Sequence, residues 1–329
     1  MNAVVPALAA LVGQPHTLHA LHHPERAWPQ TNCSVDLMVE LVAAHGHDPV
    51  WMLAFTLIQD FEGDHFSFFK VPSDDMEALY GLSVHELAVW DDLQGHVLEQ
   101  LNLGRVVLVE VDGYHLPDTQ GVTYREAHGK TTIGIFGMDT DARTLDYFHN
   151  EARGRLQGDD FDGVLQRQPG QQGLLLPYTE IVKSSGQTHP QPAAEAWRQL
   201  QRHWQRRPTQ NPFRAYAQAL PRHLEVLMQR GQAYFHAYAF NTLRQFGANF
   251  GLMAALLARW PHTPLAQAAQ QAEHIANEAK VLQFKLARAV ARGKPDALVD
   301  GVLALADVYD TLQQHLAQAL PHDAAAPAP

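Results

Sequence analysis

Between Gly104 and Asn150 the chain carries three apolar runs, RVVLVEV, TTIGIFGM and TLDYF, separated by glycine, proline and aspartate punctuation. Each run has the length and the β-branched and aromatic content of a strand, and the breaks between them are turn residues. Three such runs in succession constrain the fold to a largely antiparallel sheet. His128 stands just before the second strand and Asn150 just after the third, while the only cysteine, Cys33, lies far upstream.

From Thr31 the sequence reads TNCSVDLMVELVAAHG, with Val35, Leu37, Met38, Leu41 and Val42 at helical spacing and Gly46 as the stop. Thr31 or Asn32 is suited to cap this helix, which places Cys33 in its first turn. A thiol at a helix start faces free amides and the positive end of the macrodipole, an environment that favours thiolate. Most free cysteines are small core residues. A position at a polar cap rather than on the apolar face tips the reading towards a nucleophile. A lone cysteine with a histidine and an asparagine or aspartate elsewhere, which a sheet can bring beside it, is the usual sequence form of such a site.

A length of 329 residues suggests two domains, or one with a large helical appendage. A formal charge of −11 argues against a nucleic-acid surface, which needs clustered Lys and Arg. One cysteine excludes an intramolecular disulfide and fits a reducing compartment. The opening MNAVVPALAALVGQP is apolar but lacks a basic start and stops short of a membrane span, so a cytoplasmic protein without membrane association is expected. His16, His19, His22 and His23 have no carboxylate or thiol at ligand spacing, and neither HExxH nor paired cysteines occur. No metal or cofactor is expected.

Taken in order, the chain predicts a buried helix over 49–62, a short strand around Phe66, Phe68 and Val71, and a helix start at Ser73. His85 to Leu103 reads as an amphipathic helix burying Leu87, Trp90, Leu93, Val97 and Leu98, and GLLLPYTEIVK as a last strand. SSGQTHPQPAAEA has the composition of a hinge. Beyond it Trp197–Arg207, Pro212–Arg230, Tyr234–Trp260, Pro264–Arg292 and Pro295–Leu320 are helical runs. The expected organisation is an α+β domain over 1–186, a helical bundle over 187–320 and a disordered tail over 321–329. The aromatics of the bundle, Phe235, Phe246 and Phe250 among them, read as core.

The segments TNCSVDL, DFEGDHFSFFK and HGKTTIGIFGMD resemble those of a bacterial family catalogued only as a domain of unknown function. The first two-thirds is more distantly similar to the N-terminal domain of the butirosin-biosynthesis acyltransferase, a papain-like cysteine fold. The shared pieces are Gly104, Val111, Asp112, Tyr114, Leu116, Pro117, His128, Gly137, Met138, Asp139 and Asn150. The resemblance implies a papain-like domain with Cys33 as nucleophile, His128 as base and Asn150 as orienting residue, with Asp146 or His149 as alternatives for the third role. It further implies an oxyanion site at the Cys33 amide with Asn32 as a side-chain donor, and substrate contacts from Asp112, Tyr114 and Lys130. The expected chemistry is transfer of an acyl or aminoacyl group from a thioester, free or on an acyl-carrier protein, to an amine. A cysteine peptidase or amidase and a catalytically silent binding module are the competing expectations. Arg198, Arg202, Arg206 and Arg207 are the candidate patch for an acidic carrier, and the helical domain is the candidate surface for a homo-oligomer.

Overall fold

The computed structural model describes the chain apart from residues 169–177, 295–297, 322–325 and 328–329. Most of the expected tail, the start of the GLLLPYTEIVK strand and the start of the Pro295 helix lie outside the described residues. The chain divides into two compact units. Met1–Ala20, Asn32–Pro49 and Pro72–His189 form one, and Leu21–Thr31, Val50–Val71 and Pro190–Pro329 the other. The boundary expected near residue 187 thus separates the long C-terminal segment, but two earlier pieces of chain also belong to the helical unit.

The first unit is a mixed α+β structure built on an antiparallel sheet. Its strands are β1 (Asn2–Val4), β2 (Leu82–Ala88), β3 (Val106–Asp112), β4 (Lys130–Asp139), β5 (Thr144–His149), β6 (Ala152–Gln157) and β7 (Tyr178–Ser184). They run in the order β2-β7-β3-β4-β5-β6, and every pair is antiparallel. β4 is the longest, and two strands share one of its edges. β3 pairs with it from Lys130 to Ile135 and β1 from Gly137 to Asp139, and on its other edge the ladder with β5 shifts register between Ile135 and Gly137. Helices α1 (Cys33–Ala44), α2 (Ser73–Tyr80), α3 (Leu93–Asn102) and α4 (Asp159–Val164) complete the unit.

The three strands predicted between Gly104 and Asn150 are β3, β4 and β5. The helix predicted over 85–103 is not continuous. Its first part is the edge strand β2, paired along its whole length with β7, and only Leu93–Asn102 is helical. Asp91 and Asp92 break the pattern, because the Asp92 carboxylate caps α3 by accepting the Gly95 amide at 2.8 Å. Trp90, counted in the sequence as part of a buried face, therefore falls in the connection and is 89% exposed.

The second unit holds α5 (Pro192–Trp204), α6 (Pro212–Arg230), α7 (Gln232–Ala239), α8 (Gln245–Leu257), α9 (Leu265–Arg292) and α10 (Leu298–Ala319). Helices α5, α6, α7 and α9 start or stop at the proline, glycine or asparagine that the sequence supplies. Asn211, for example, caps α6 through the amides of Phe213 and Arg214. The predicted run from Tyr234 to Trp260 is α7 and α8 joined by one π-helical turn, Phe240–Arg244. Phe66, expected on a strand, makes only an isolated bridge with Phe61. Its ring is taken instead by an aromatic cluster with Phe213, Tyr216 and Phe246, at centroid separations of 6.0, 5.4 and 4.9 Å. Trp28 is 4% exposed, and its indole donates to the Ala276 carbonyl of α9 at 2.8 Å. A Cβ at Gly247 of α8 would lie 2.6 Å from that ring, so glycine there is what lets the indole seat. Among the described residues no helix is long and apolar enough to cross a membrane.

Candidate active site

Helix α1 begins where the sequence places a capping residue. Asn32 is extended, with φ −143° and ψ 160°, and its Oδ1 accepts the amides of Ser34 at 3.1 Å and Val35 at 3.0 Å. Cys33 is the first helical residue, partly exposed, and its own amide takes no acceptor among the described residues. Replacing Asn32 by alanine is expected to cost about 0.5–2 kcal/mol by orphaning two helix amides. Urea denaturation of the variant measures the loss.

The apolar side of α1 lies on one face of the sheet. A Cβ at Gly134 would meet Leu108 Cδ2 at 3.1 Å and Leu37 Cδ2 at 3.4 Å, so the helix packs on the face shown by Gly134, Leu108 and the paired Phe148. His45, just past the helix, lines a cavity of ≈ 220 Å³ with Gly104, Val106 and Val182. On that face the helix makes most of its sheet contacts with β4 and β5. Asp112, which has the same parity as Leu108 and Glu110, faces the same way.

Asp112 ends β3 as the hub of a turn. Its Oδ1 accepts the amides of Tyr114 at 3.0 Å and Gly129 at 3.1 Å, and its Oδ2 lies 2.5 Å from His128 Nδ1. A carboxylate can only accept, so His128 donates through Nδ1–H and leaves Nε2 as the lone-pair nitrogen. The ring stacks on Tyr114 at 4.7 Å and 18°, and the imidazole is 77% exposed. Partial burial pushes the Asp112 carboxyl up. The His128 bond and the two amides outweigh it and hold the group below its ordinary range. Lys130 is paired with Glu110 at 2.5 Å.

The other predicted residues do not gather at His128. Asn150 Nδ2 lies 3.2 Å from His149 Nε2, so the imidazole it touches is that of its chain neighbour. Asp146 holds Arg155 with both oxygens, at 2.9 and 2.8 Å, a bidentate pair across β5 and β6. His149 pairs in register with Ile133, one residue out of step with Phe148 and Gly134, and so projects from the face opposite α1. There its Nδ1 lies 2.5 Å from Asp118 Oδ2, and its Nε2 lies 2.7 Å from Thr131 Oγ1. The Tyr147 hydroxyl donates to the second oxygen of Asp118. Among the described residues no hydrogen bond joins Cys33 to either imidazole.

Sequence reasoning missed Asp112 as the partner of His128 and Asp118 as the partner of His149. The signal for the first was a Val-Asp-Gly turn at the end of a strand. Asp118 gave no local signal, because its contacts with Tyr147 and His149 are closed across a loop.

An antiparallel sheet carrying a capped helix, with two carboxylate–imidazole pairs at one end, defines an α+β domain joined in sequence to an all-helical one. The chain belongs to the DUF1839 family: residues 17–184 match the DUF1839 N-terminal domain and residues 179–318 the DUF1839 C-terminal domain. No curated protein matches the chain.

Proposed function

We propose that the protein is a cysteine-dependent acyltransferase in which Cys33 is the nucleophile, His128 the base and Asp112 the residue that orients it. What supports the reading is that Cys33 opens the Asn32-capped helix and that Asp112, the partner of His128, has the parity of the sheet face on which that helix packs. His128 Nε2 takes the thiol proton, and the thiolate attacks the carbonyl carbon of a thioester. The oxyanion forms against the Cys33 amide, which has no other acceptor among the described residues, while the Asn32 oxygen is committed to the cap. The carbon–sulfur bond to the donor breaks, and the departing thiolate takes the proton back from His128. An amine then attacks the acyl-cysteine, gives its proton to His128, and releases Cys33. Tyr114, stacked on the base, and Lys130 line the approach for the donor, a small acyl thioester either free or on a carrier protein.

Incubating the full chain with a short acyl thioester of N-acetylcysteamine tests this by mass spectrometry. The expected result is one acyl adduct on Cys33 that discharges to an amide when an amine is added. Discharge only to the free acid would make water the acceptor and the protein a hydrolase. If Cys33 takes no acyl group and reacts with iodoacetamide as an ordinary free thiol does, the unit is a binding module.

A further inference from the structure

The face of the sheet opposite α1 carries a second constellation that the cysteine chemistry does not use. Its members are Thr131 on β4, His149 and Tyr147 on β5, Asn150 just past β5, and Asp118 from the loop after β3. Thr131 and His149 are diagonal neighbours, because His149 is in register with Ile133 two residues further along β4. Asp118 accepts from His149 Nδ1–H at 2.5 Å, which fixes Nε2 as the acceptor for the Thr131 hydroxyl at 2.7 Å. Carboxylate, imidazole and hydroxyl thus stand in unbroken series, each within the reach that general-base activation of an alcohol requires.

His149 is 2% exposed and Asp118 18%, whereas Thr131 and Asn150, which flank Nε2, are partly open to solvent. The imidazole is therefore shielded, and the threonine beside it is half-buried. Asn150 has φ +48°, a left-handed conformation that costs a non-glycine residue strain, and this turn sets its carboxamide beside the ring at 3.2 Å. Once Nε2 takes the threonine proton it can no longer accept from Asn150, whose N–H is then free for a developing oxyanion. Tyr147 donates to the remaining Asp118 oxygen and holds the carboxylate towards the ring.

We infer that Thr131, His149 and Asp118 form a second, hydroxyl-based acyl-transfer centre with Asn150 as its oxyanion donor, acting on activated esters or thioesters. Thr131 Oγ attacks the acyl carbon and its proton passes to His149 Nε2. The ester carbon–oxygen or carbon–sulfur bond then breaks, and the leaving group departs with that proton. Water discharges the acyl-threonine by the same relay.

A fluorophosphonate reports on this centre independently of Cys33. The threonine oxygen bonds to phosphorus, fluoride leaves, and the proton remains on His149. In full-length protein carrying Cys33→Ala, peptide mapping is expected to find the phosphonyl group on Thr131. It should appear at the same position in Thr131→Ser and be absent in Thr131→Val, and labelling should be about 100-fold slower in His149→Gln, the low end of what a general base contributes. The inference is overturned if residue 131 stays unmodified in both the threonine and the serine proteins, or if His149→Gln labels as fast as the parent. Either result would leave the same hydrogen bonds as a clamp holding the 113–128 loop to the sheet.

Discussion

Cys33→Ala is expected to abolish acyl transfer from a thioester, and His128→Gln and Asp112→Asn to slow acylation of Cys33 by about 10²–10⁴-fold, the range that a positioned base and its orienting carboxylate supply. The two slower variants should differ in kind. His128→Gln removes the proton acceptor. Asp112→Asn keeps an oxygen for the amides of Tyr114 and Gly129 but can offer its amide to Nδ1, which turns the proton to Nε2. Loss of rate in Asp112→Asn without loss of fold, read by single-turnover mass spectrometry beside circular dichroism, is the informative outcome. Equal rates in Asp112→Asn and the parent would remove Asp112 from the mechanism. The same residue links the site to acid stability. Its native pKa is depressed below the unfolded value of about 3.9. It therefore adds stability above that value, and the contribution is lost as pH falls from there through the lower native value. Asp112→Asn should flatten the stability curve in that acid window and leave its shape at neutral pH unchanged.

Trp28→Ala is expected to cost the helical unit about 3–5 kcal/mol, the usual loss for emptying a buried tryptophan site. The indole is 4% exposed, gives its N–H to Ala276, lies against Gly247 and carries the Lys280 ammonium over its ring at 4.2 Å. Little can collapse into the space, because the backbone at Gly247 of α8 and the Ala276 carbonyl of α9 border it. Hydrogen exchange of the α9 amides locates the effect, and chemical denaturation measures it. A loss under about 0.5 kcal/mol, the size of a typical surface change, would mean that residues 21–31 only decorate the bundle.

Local chemistry made much of this legible in advance. The strands β3, β4 and β5, the Asn32 cap and the extent of α6 are set by residues within a few positions of one another, so their patterns survive in one dimension. The edge strand β2 does not announce itself. Leu87, Leu93 and Val97 mimic a helical stripe, and what makes Leu82–Ala88 a strand is β7, almost a hundred residues further on. At the site, Cys33 at a helix start and His128 before β4 could be read from the letters. The partners of the two imidazoles could not, since Asp112 and Asp118 reach them only after the loop between β3 and β4 closes. The assignment of Leu21–Thr31 and Val50–Val71 to the helical unit was equally hidden. Trp28 declares its loyalty through a bond to a residue 248 positions away.

That crossing of the chain between the two units, five times in all, sets an order of events during synthesis. The sheet unit has every segment it needs once His189 has left the ribosome, and it can close while the rest is still being made. The bundle cannot, because Trp28 and the Val50–Val71 segment must wait, exposed, until α8 and α9 arrive to cover them. A nascent chain halted before α8 should therefore present an unsheltered indole and an incompletely covered Val50–Val71 segment, the kind of surface a trigger-type chaperone holds.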